Sequence, residues 1–226
     1  MKQVSSTGAP RGSRPAARRA SRVHLLLVLM VLGTATACAE PEGTVGAPEV
    51  SRLASPAASA GPQVPIQSGD LTGTAAVPPT RLGIPRLRLT ATVDPVGIEA
   101  STGDFAVPPS IDRVGWYRYG PGLETTAGSI VIAGHVDSAE QGKGAFFRLR
   151  ELAPEDRITV TGADGTPREF VVVGREIYQK TAIPLDKYFA RDGAVRLTLI
   201  TCGGPFDPKT RHYRDNVVIT AQPVGR

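Results

Sequence analysis

Short apolar runs broken by glycine, proline or Asp-Gly punctuation set the rhythm of the chain from Arg81 onward. Leu82-Gly83-Ile84 and Leu87 to Val93 read as two strands, with Pro85 and Pro95 marking edges or turns. Ser129 to Ala133 is a third, entirely aliphatic or small. Arg157 to Thr161 and Glu169 to Val173 flank Ala163-Asp164-Gly165-Thr166, the signature of a hairpin. Leu197 to Thr201 and Asn216 to Ala221 close the series. Between them, Pro108-Pro109, Gly115-Trp116-Tyr117 and Gly120-Pro121-Gly122 suggest a long loop-rich connection. Gly144 to Leu149 reads as a short helix or turn turning two aromatics inward, and Pro184 to Phe189 as a helical turn. Seven or eight short strands, no long amphipathic helix and 25 glycines predict an all-β domain, a closed barrel rather than an open sheet.

The first part of the chain has a different pattern. A basic stretch precedes the apolar run Val23 to Leu32 and the small residues Gly33 to Cys38, the order of an export signal. Taken as Val23 to Ala39, the apolar stretch would be about 25 Å long as a helix, short of a ~30 Å hydrocarbon core. Ala35-Thr36-Ala37-Cys38 resembles a lipobox with alanine in place of the usual leucine, which makes Cys38 a lipidation candidate. A lipid anchor, an uncleaved anchor helix and release all remain open; each places the protein on the extracytoplasmic side. Residues 40–79 are rich in Ala, Pro, Gly, Ser and Thr and are expected to be a flexible tether, leaving 80–226 as the folded domain.

Charge and cysteine count sharpen this division. Lys2, Arg11, Arg14, Arg18, Arg19 and Arg22 precede any acid, and removing those six cations from the net +5 leaves −1. The basicity belongs to the leader, so a nucleic-acid partner loses its support. The chain has two cysteines, Cys38 and Cys202. If Cys38 is lipidated or removed with the leader, Cys202 is a lone thiol outside the cytosol, where an idle thiol is an oxidation liability. A small buried core residue and a Cys38–Cys202 disulfide are the alternatives.

Cys202 follows Leu197-Thr198-Leu199-Ile200-Thr201 and precedes Gly203-Gly204; His135 follows the strand ending at Gly134; Arg211 and Arg214 precede the last strand. A thiol, an imidazole and a guanidinium, each expected at a strand terminus, are the groups a cysteine acyl-transferase needs. An ordinary thiol is only a few per cent ionised at neutral pH, so a neighbouring cation must help it. Of the three histidines, His24 lies in the leader and His212 beside the last strand.

From about Arg81 to Gln222 the chain resembles a sortase, and within that family the class F sortases of actinobacteria. The resemblance is carried by Thr198-Leu199-Ile200-Thr201-Cys202, Gly134-His135-Val136-Asp137-Ser138 and Tyr213-Arg214-Asp215-Asn216-Val217-Val218. Gly115-Trp116-Tyr117, Gly134-His135-Val136-Asp137-Ser138, Gly144-Ala145-Phe146-Phe147 and Thr201-Cys202-Gly203-Gly204 together resemble the class F version in particular. It implies an eight-stranded β-barrel, no metal or organic cofactor, and transpeptidation of sorting signals of the LPXTG kind. It also implies sorting-signal-bearing surface proteins as partners, with an amine acceptor such as a cell-wall precursor, at a membrane reached through the N-terminal anchor.

The expected roles are Cys202 as nucleophile, His135 as general acid and base, and Arg214 at the substrate carbonyl and oxyanion. Arg214 is preferred to Arg211 because Arg214, Asn216 and Val218 alternate into the last strand and match the family. Thr201, Gly203 and Asp137 are expected to shape the site, Arg196 to be a solvated strand residue, and residues 142–157 and 181–191 to line a peptide groove. An L,D-transpeptidase would carry Ser-His-Gly before its cysteine, and a papain-like peptidase would place its cysteine at a helix start ahead of the histidine. Neither pattern occurs here. A non-catalytic envelope lipoprotein with Cys202 in its core is the remaining alternative.

Overall fold

Eight strands hydrogen-bond side to side until the last meets the first, so the main sheet has no open edge. The computed structural model describes residues 43–55, 77–99 and 105–225. In chain order the elements are α1 (Ala47–Ala54), β1 (Pro79–Ile84), β2 (Leu89–Val96), β3 (Val114–Tyr117), β4 (Ser129–Gly134), β5 (Asp137–Ser138), β6 (Gly142–Lys143), β7 (Arg157–Gly162), β8 (Pro167–Gln179), α2 (Leu185–Phe189), β9 (Arg196–Asp207) and β10 (His212–Pro223). The barrel order is β1-β2-β3-β4-β9-β10-β8-β7, and β5 pairs with β6 apart from it. Neighbours are antiparallel except β2 with β3 and β4 with β9, which run parallel. The expected closed eight-stranded, all-β barrel is therefore the fold. The expected export signal of residues 1–39, with Cys38, lies outside the described residues, and no helix among those described is long and apolar enough to cross a membrane.

The sequence of β9 and β10 reads as continuous rather than alternating because both of their faces are covered. Leu197, Leu199, Val217, Ile219 and Ala221 join the barrel core with Leu82, Ile84, Ile132 and Phe146. Ile200 and Val218 belong instead to an outer cluster with Val50 of α1 and Tyr188 of α2. Glu176 of β8 fastens α2 to the barrel. It accepts from Lys187 Nζ at 2.9 and 3.1 Å, from Tyr188 Oη at 2.7 Å and from Tyr178 Oη at 2.9 Å.

Four expectations are corrected. Val114–Tyr117 is a strand, parallel to β2 and antiparallel to β4, although the glycines and prolines around it read as loop. Arg196 is 1% exposed rather than solvated. Its guanidinium donates to the carbonyls of Lys187, Asp192 and Ala194, each at 3.0 Å, and to that of Leu53 at 3.4 Å. Carbonyl oxygens replace the lost water, although burial still pulls this guanidinium below its ordinary pKa. Of the two aromatics expected inward, Phe146 is fully buried, whereas Phe147 is half-buried beneath the Lys143 ammonium, 4.6 Å from its ring centre.

The fourth concerns the tether. Within residues 40–79, the stretch 43–55 is ordered against the barrel. Val50 and Leu53, three positions apart on one face of α1, are 1% and 3% exposed. Arg175 of β8 donates to the Gly43 carbonyl at 2.9 and 3.2 Å, and Val45 pairs with it through backbone bonds in both directions. Two well-placed apolar side chains and two buried arginines are what an Ala/Pro-rich composition conceals.

Leu53→Ala is expected to cost about 2–3 kcal/mol, which would lower the thermal midpoint by roughly 5–10 °C in a domain of this size. Thr220 carries a buried hydroxyl with no hydrogen-bond partner. Thr220→Val is therefore expected to raise stability by about 1 kcal/mol, read from denaturant unfolding.

Candidate active site

The parallel pair β4 and β9 positions the chemistry. Their register runs from Ser129 opposite Arg196 to Ala133 opposite Ile200. β4 ends at Gly134, one residue before His135, while β9 continues through Cys202. Where the ladder stops, the Thr201 hydroxyl donates to the Gly134 carbonyl at 2.8 Å and extends it by one bond. Carried on by two residues the register would set His135 opposite Cys202, although β4 itself ends at Gly134 and His135, unlike Val136, is not among the residues lining the cavity beside the thiol.

Cys202 does not end its strand. β9 continues to Asp207 and pairs with β10, Asn216 facing Cys202 and Asp215 facing Gly203. What ends there is the neighbour on the other side, β4. Beyond that point, Gly204 and Pro205 of β9 face the single residue Arg214 of β10, a bulge in which Gly204 has φ +71°. A Cβ on Gly204 would lie 2.0 Å from Asp215 Oδ2, and one on Gly203 would lie 2.7 Å from Val217 Cγ2. The Gly-Gly pair thus gives β10 its close approach beside the thiol.

Cys202 is a partly buried, unpaired thiol. It opens into a cavity of about 200 Å³ lined by Thr201, Gly203, Gly204, Val217 and Tyr213 from the β9–β10 ladder, and by Val136, Phe146, Phe147 and Arg150 from across it. Of the stretch 142–157, Phe146, Phe147 and Arg150 line the thiol pocket. The stretch 181–191 does not line it. It packs Phe189 edge-on to Tyr117 and joins the first residue of β4 through Ser129 N to Ala190 O at 2.9 Å, the opposite end of that strand from His135.

The imidazole of His135 contacts the Pro108 carbonyl through Nε2 at 3.0 Å. A carbonyl can only accept, so Nε2 carries the hydrogen and Nδ1 is the nitrogen left to exchange a proton. Its backbone is held by Phe146 N donating to the His135 carbonyl at 3.0 Å and Gly144 N donating to that of Val136 at 2.9 Å.

Arg214 lies opposite the bulge, with its guanidinium 67% exposed and 4.0 Å from Asp207 Oδ2. It does not line the thiol cavity in this arrangement. An exposed pair at that distance holds a side chain by about 1 kcal/mol or less, so its reorientation costs little. Arg211 sits in the turn between β9 and β10 at φ 58°, off the strand itself.

Sequence reasoning assigned no role to Arg150 or to Tyr213 as an individual residue. The guanidinium of Arg150 reaches the cavity from a 3-10 turn, Leu149–Glu151. Arg175 secures that turn by donating to the carbonyls of Arg150 at 2.9 Å and Leu152 at 2.7 Å. Tyr213 lines the cavity and donates its hydroxyl to Asp137 Oδ2 at 2.5 Å. That bond, then burial and the charges of Asp137 and Cys202, push the phenol up to about 12 against a pull from Arg150. Among the described residues, no cluster of His, Cys, Asp and Glu has the makings of a metal site.

A sortase-domain family model matches residues 82–224. Among solved structures, the pilus-related sortase C of Group B Streptococcus superposes with a TM-score of 0.50 at 11% identity, over 68% of this chain and 70% of that one. Sortase A from Corynebacterium diphtheriae gives 0.50 at 17% identity, over 73% of each chain. Sortase C1 of GBS pilus island 1 gives 0.49 at 15%, over 65% of each. The chain thus spans about two-thirds of the length of these structures, and at such identities the likeness bears on the fold alone. No curated protein matches by sequence.

The Tyr213–Asp137 bond has a pH signature. A phenol whose folded pKa lies above the ordinary ~10 stabilises the fold fully below that value and loses the contribution as pH rises through the folded pKa. Wild-type minus Tyr213→Phe ultraviolet absorbance should show one tyrosine ionising near 12. Asp137→Ala should return it toward ~10. An ordinary titration in the wild type would show that the bond is absent.

Proposed function

The chain belongs to the sortase family, and on that footing we propose that it is a cysteine transpeptidase acting on sorting-signal peptides at the outer face of the cell membrane. The observation that supports the proposal is the β4–β9 register: it runs to Ala133 opposite Ile200, the Thr201–Gly134 bond follows it, and His135 and Cys202 are the next residue along each segment.

In the proposed first half-reaction the Cys202 thiolate attacks the threonine carbonyl of the sorting signal. The carbon–sulfur bond forms, Arg214 swings from Asp207 to hold the oxyanion, and the carbon–nitrogen bond to glycine breaks. Imidazolium Nδ1 of His135 gives its proton to the departing amine. The neutral imidazole then takes a proton from the incoming amine as it attacks the thioester, and the thiolate leaves. Thr201 and Gly203 hold the two strand ends in place for this exchange. No metal or organic cofactor is required by these steps.

Finer assignments follow the same reading. The Gly-His-Val-Asp-Ser and Thr-Cys-Gly-Gly segments support membership of class F. LPXTG-type signals are the proposed substrates and a cell-wall amine the proposed acceptor. Residues 1–39 are proposed to export the protein and anchor it, and 80–226 to form the catalytic domain.

The test is intact mass spectrometry of the full chain in detergent, given an LPXTG peptide and an amine acceptor. An acyl adduct and an amine-linked product should both appear, and both should vanish in Cys202→Ala. Arg214→Ala should slow transfer by ~10²–10³-fold. Adduct formation that survives Cys202→Ala, or a folded wild type whose thiol forms no adduct and resists alkylation, would overturn the proposal.

A further inference from the structure

Beyond the barrel, β9 and β10 project as a two-stranded ribbon. β4 leaves β9 after Ile200, and β8 leaves β10 at Asp215, which faces Gln179. Past that point His212 and Tyr213 pair only with Asp207 and Phe206 of β9, and Arg214 stands opposite the Gly204–Pro205 bulge. Phe206 near the tip is 52% exposed. Two strands without a third are marginally stable in water, yet Arg214 has to meet the substrate at a fixed distance from His135. The two residues share no element. One follows β4 and the other sits in the ribbon.

The structure supplies a tie between them. Asp137 lies two residues after His135 and opens β5, which pairs with β6 through Lys143 and Gly142. Tyr213 immediately precedes Arg214, and its ring packs edge-on against Phe206 at 5.2 Å. The Tyr213 hydroxyl donates to Asp137 Oδ2 at 2.5 Å, a charge-assisted bond. Because Tyr213 also lines the Cys202 cavity, the bond spans from the pocket wall to the histidine loop.

We infer that Tyr213 and Asp137 are positioning residues whose hydrogen bond latches the β9–β10 ribbon to the histidine loop and so sets the separation of His135 and Arg214. The inference rests on the transpeptidase reading. It explains why a carboxylate stands near the histidine without contacting the reacting atoms: its partner is the phenol. Cutting the latch leaves the barrel, the thiol and the cavity in place while Arg214 rides on an untethered ribbon. The loss should therefore fall on turnover rather than on substrate capture, since misplacement of about 1 Å can cost up to ~10²-fold.

Steady-state transpeptidation of an LPXTG peptide to an amine, with the full chain, tests this. Tyr213→Phe keeps the ring on Phe206 and removes only the hydroxyl. It and Asp137→Ala should each lower kcat on the order of 10-fold with KM within about 3-fold. The double variant should be no slower than either single one, because the two residues act through one bond. Asp137→Asn, whose amide oxygen can still accept from the phenol, should recover to within about 3-fold of wild type. Wild-type kcat in both single variants, multiplicative losses in the double one, or an Asp137→Asn as slow as Asp137→Ala would each overturn the latch. If Tyr213→Phe does not fold, the two Asp137 variants decide alone. A wild type that transfers no peptide sinks the transpeptidase reading and the latch with it; a wild type that transfers while the variants match it sinks the latch alone.

Discussion

The hydrogen bond from the Thr201 hydroxyl to the Gly134 carbonyl stands at the point on which the site depends. Before it, β4 and β9 are an ordinary parallel pair buried on both faces, with their register set by packing. After it, β4 turns away into the histidine loop while β9 continues with β10 alone. A side-chain bond at the parting keeps the residue before His135 against the residue before Cys202. Gly134 and Thr201, 67 positions apart in the chain, are thereby held together, each one residue before a proposed catalytic group. Cys202 itself lies within β9 and is held there by its pairing with Asn216 of β10.

Two buried guanidinium groups tie α1 to the barrel, and one of them also holds the turn that carries Arg150. Arg175 donates to the Gly43 carbonyl on one side and to those of Arg150 and Leu152 on the other. One desolvated cation therefore joins the chain before α1 to the turn that brings Arg150 to the thiol cavity. Arg196 does the same work at the far end of α1, through the carbonyls of Leu53 and of the loop after α2. Such cations would be costly alone; each is surrounded by backbone oxygens that would otherwise lack partners in the interior.

The barrel was legible because its strands are short, apolar and separated by strong turn signals, as with Asp164-Gly165 between β7 and β8. The thiol, the imidazole and the two arginines were visible as residue types at the ends of such runs. What escaped were features whose cause is tertiary. β3 is hidden by flanking Gly and Pro, and its strand character comes from β2 and β4 on either side. Arg196 looks like a solvated strand start, and only the carbonyls gathered around it make burial tolerable. Tyr213 reads as one member of an arginine-strand motif; its tie to Asp137 spans 76 positions and leaves no local signal. The ordered turns of 43–55 rest on two apolar residues in a composition that otherwise describes a linker.

The proposed catalytic pair requires His135 and Cys202 to stand side by side where β4 parts from β9. Disulfide closure measures it without any substrate. In the full chain carrying Cys38→Ala and His135→Cys, Cys202 is the only other thiol. Neighbouring-strand positions fall within the ~4.4–6.8 Å Cα separation that a disulfide accepts. Mild oxidation of the folded protein should therefore close the thiol introduced at position 135 onto Cys202, seen as the loss of two hydrogens in the intact mass and of both thiols in titration. If both thiols remain titratable in the folded protein under oxidation and the bond forms only after unfolding, the register argument fails and the proposed catalytic pair fails with it.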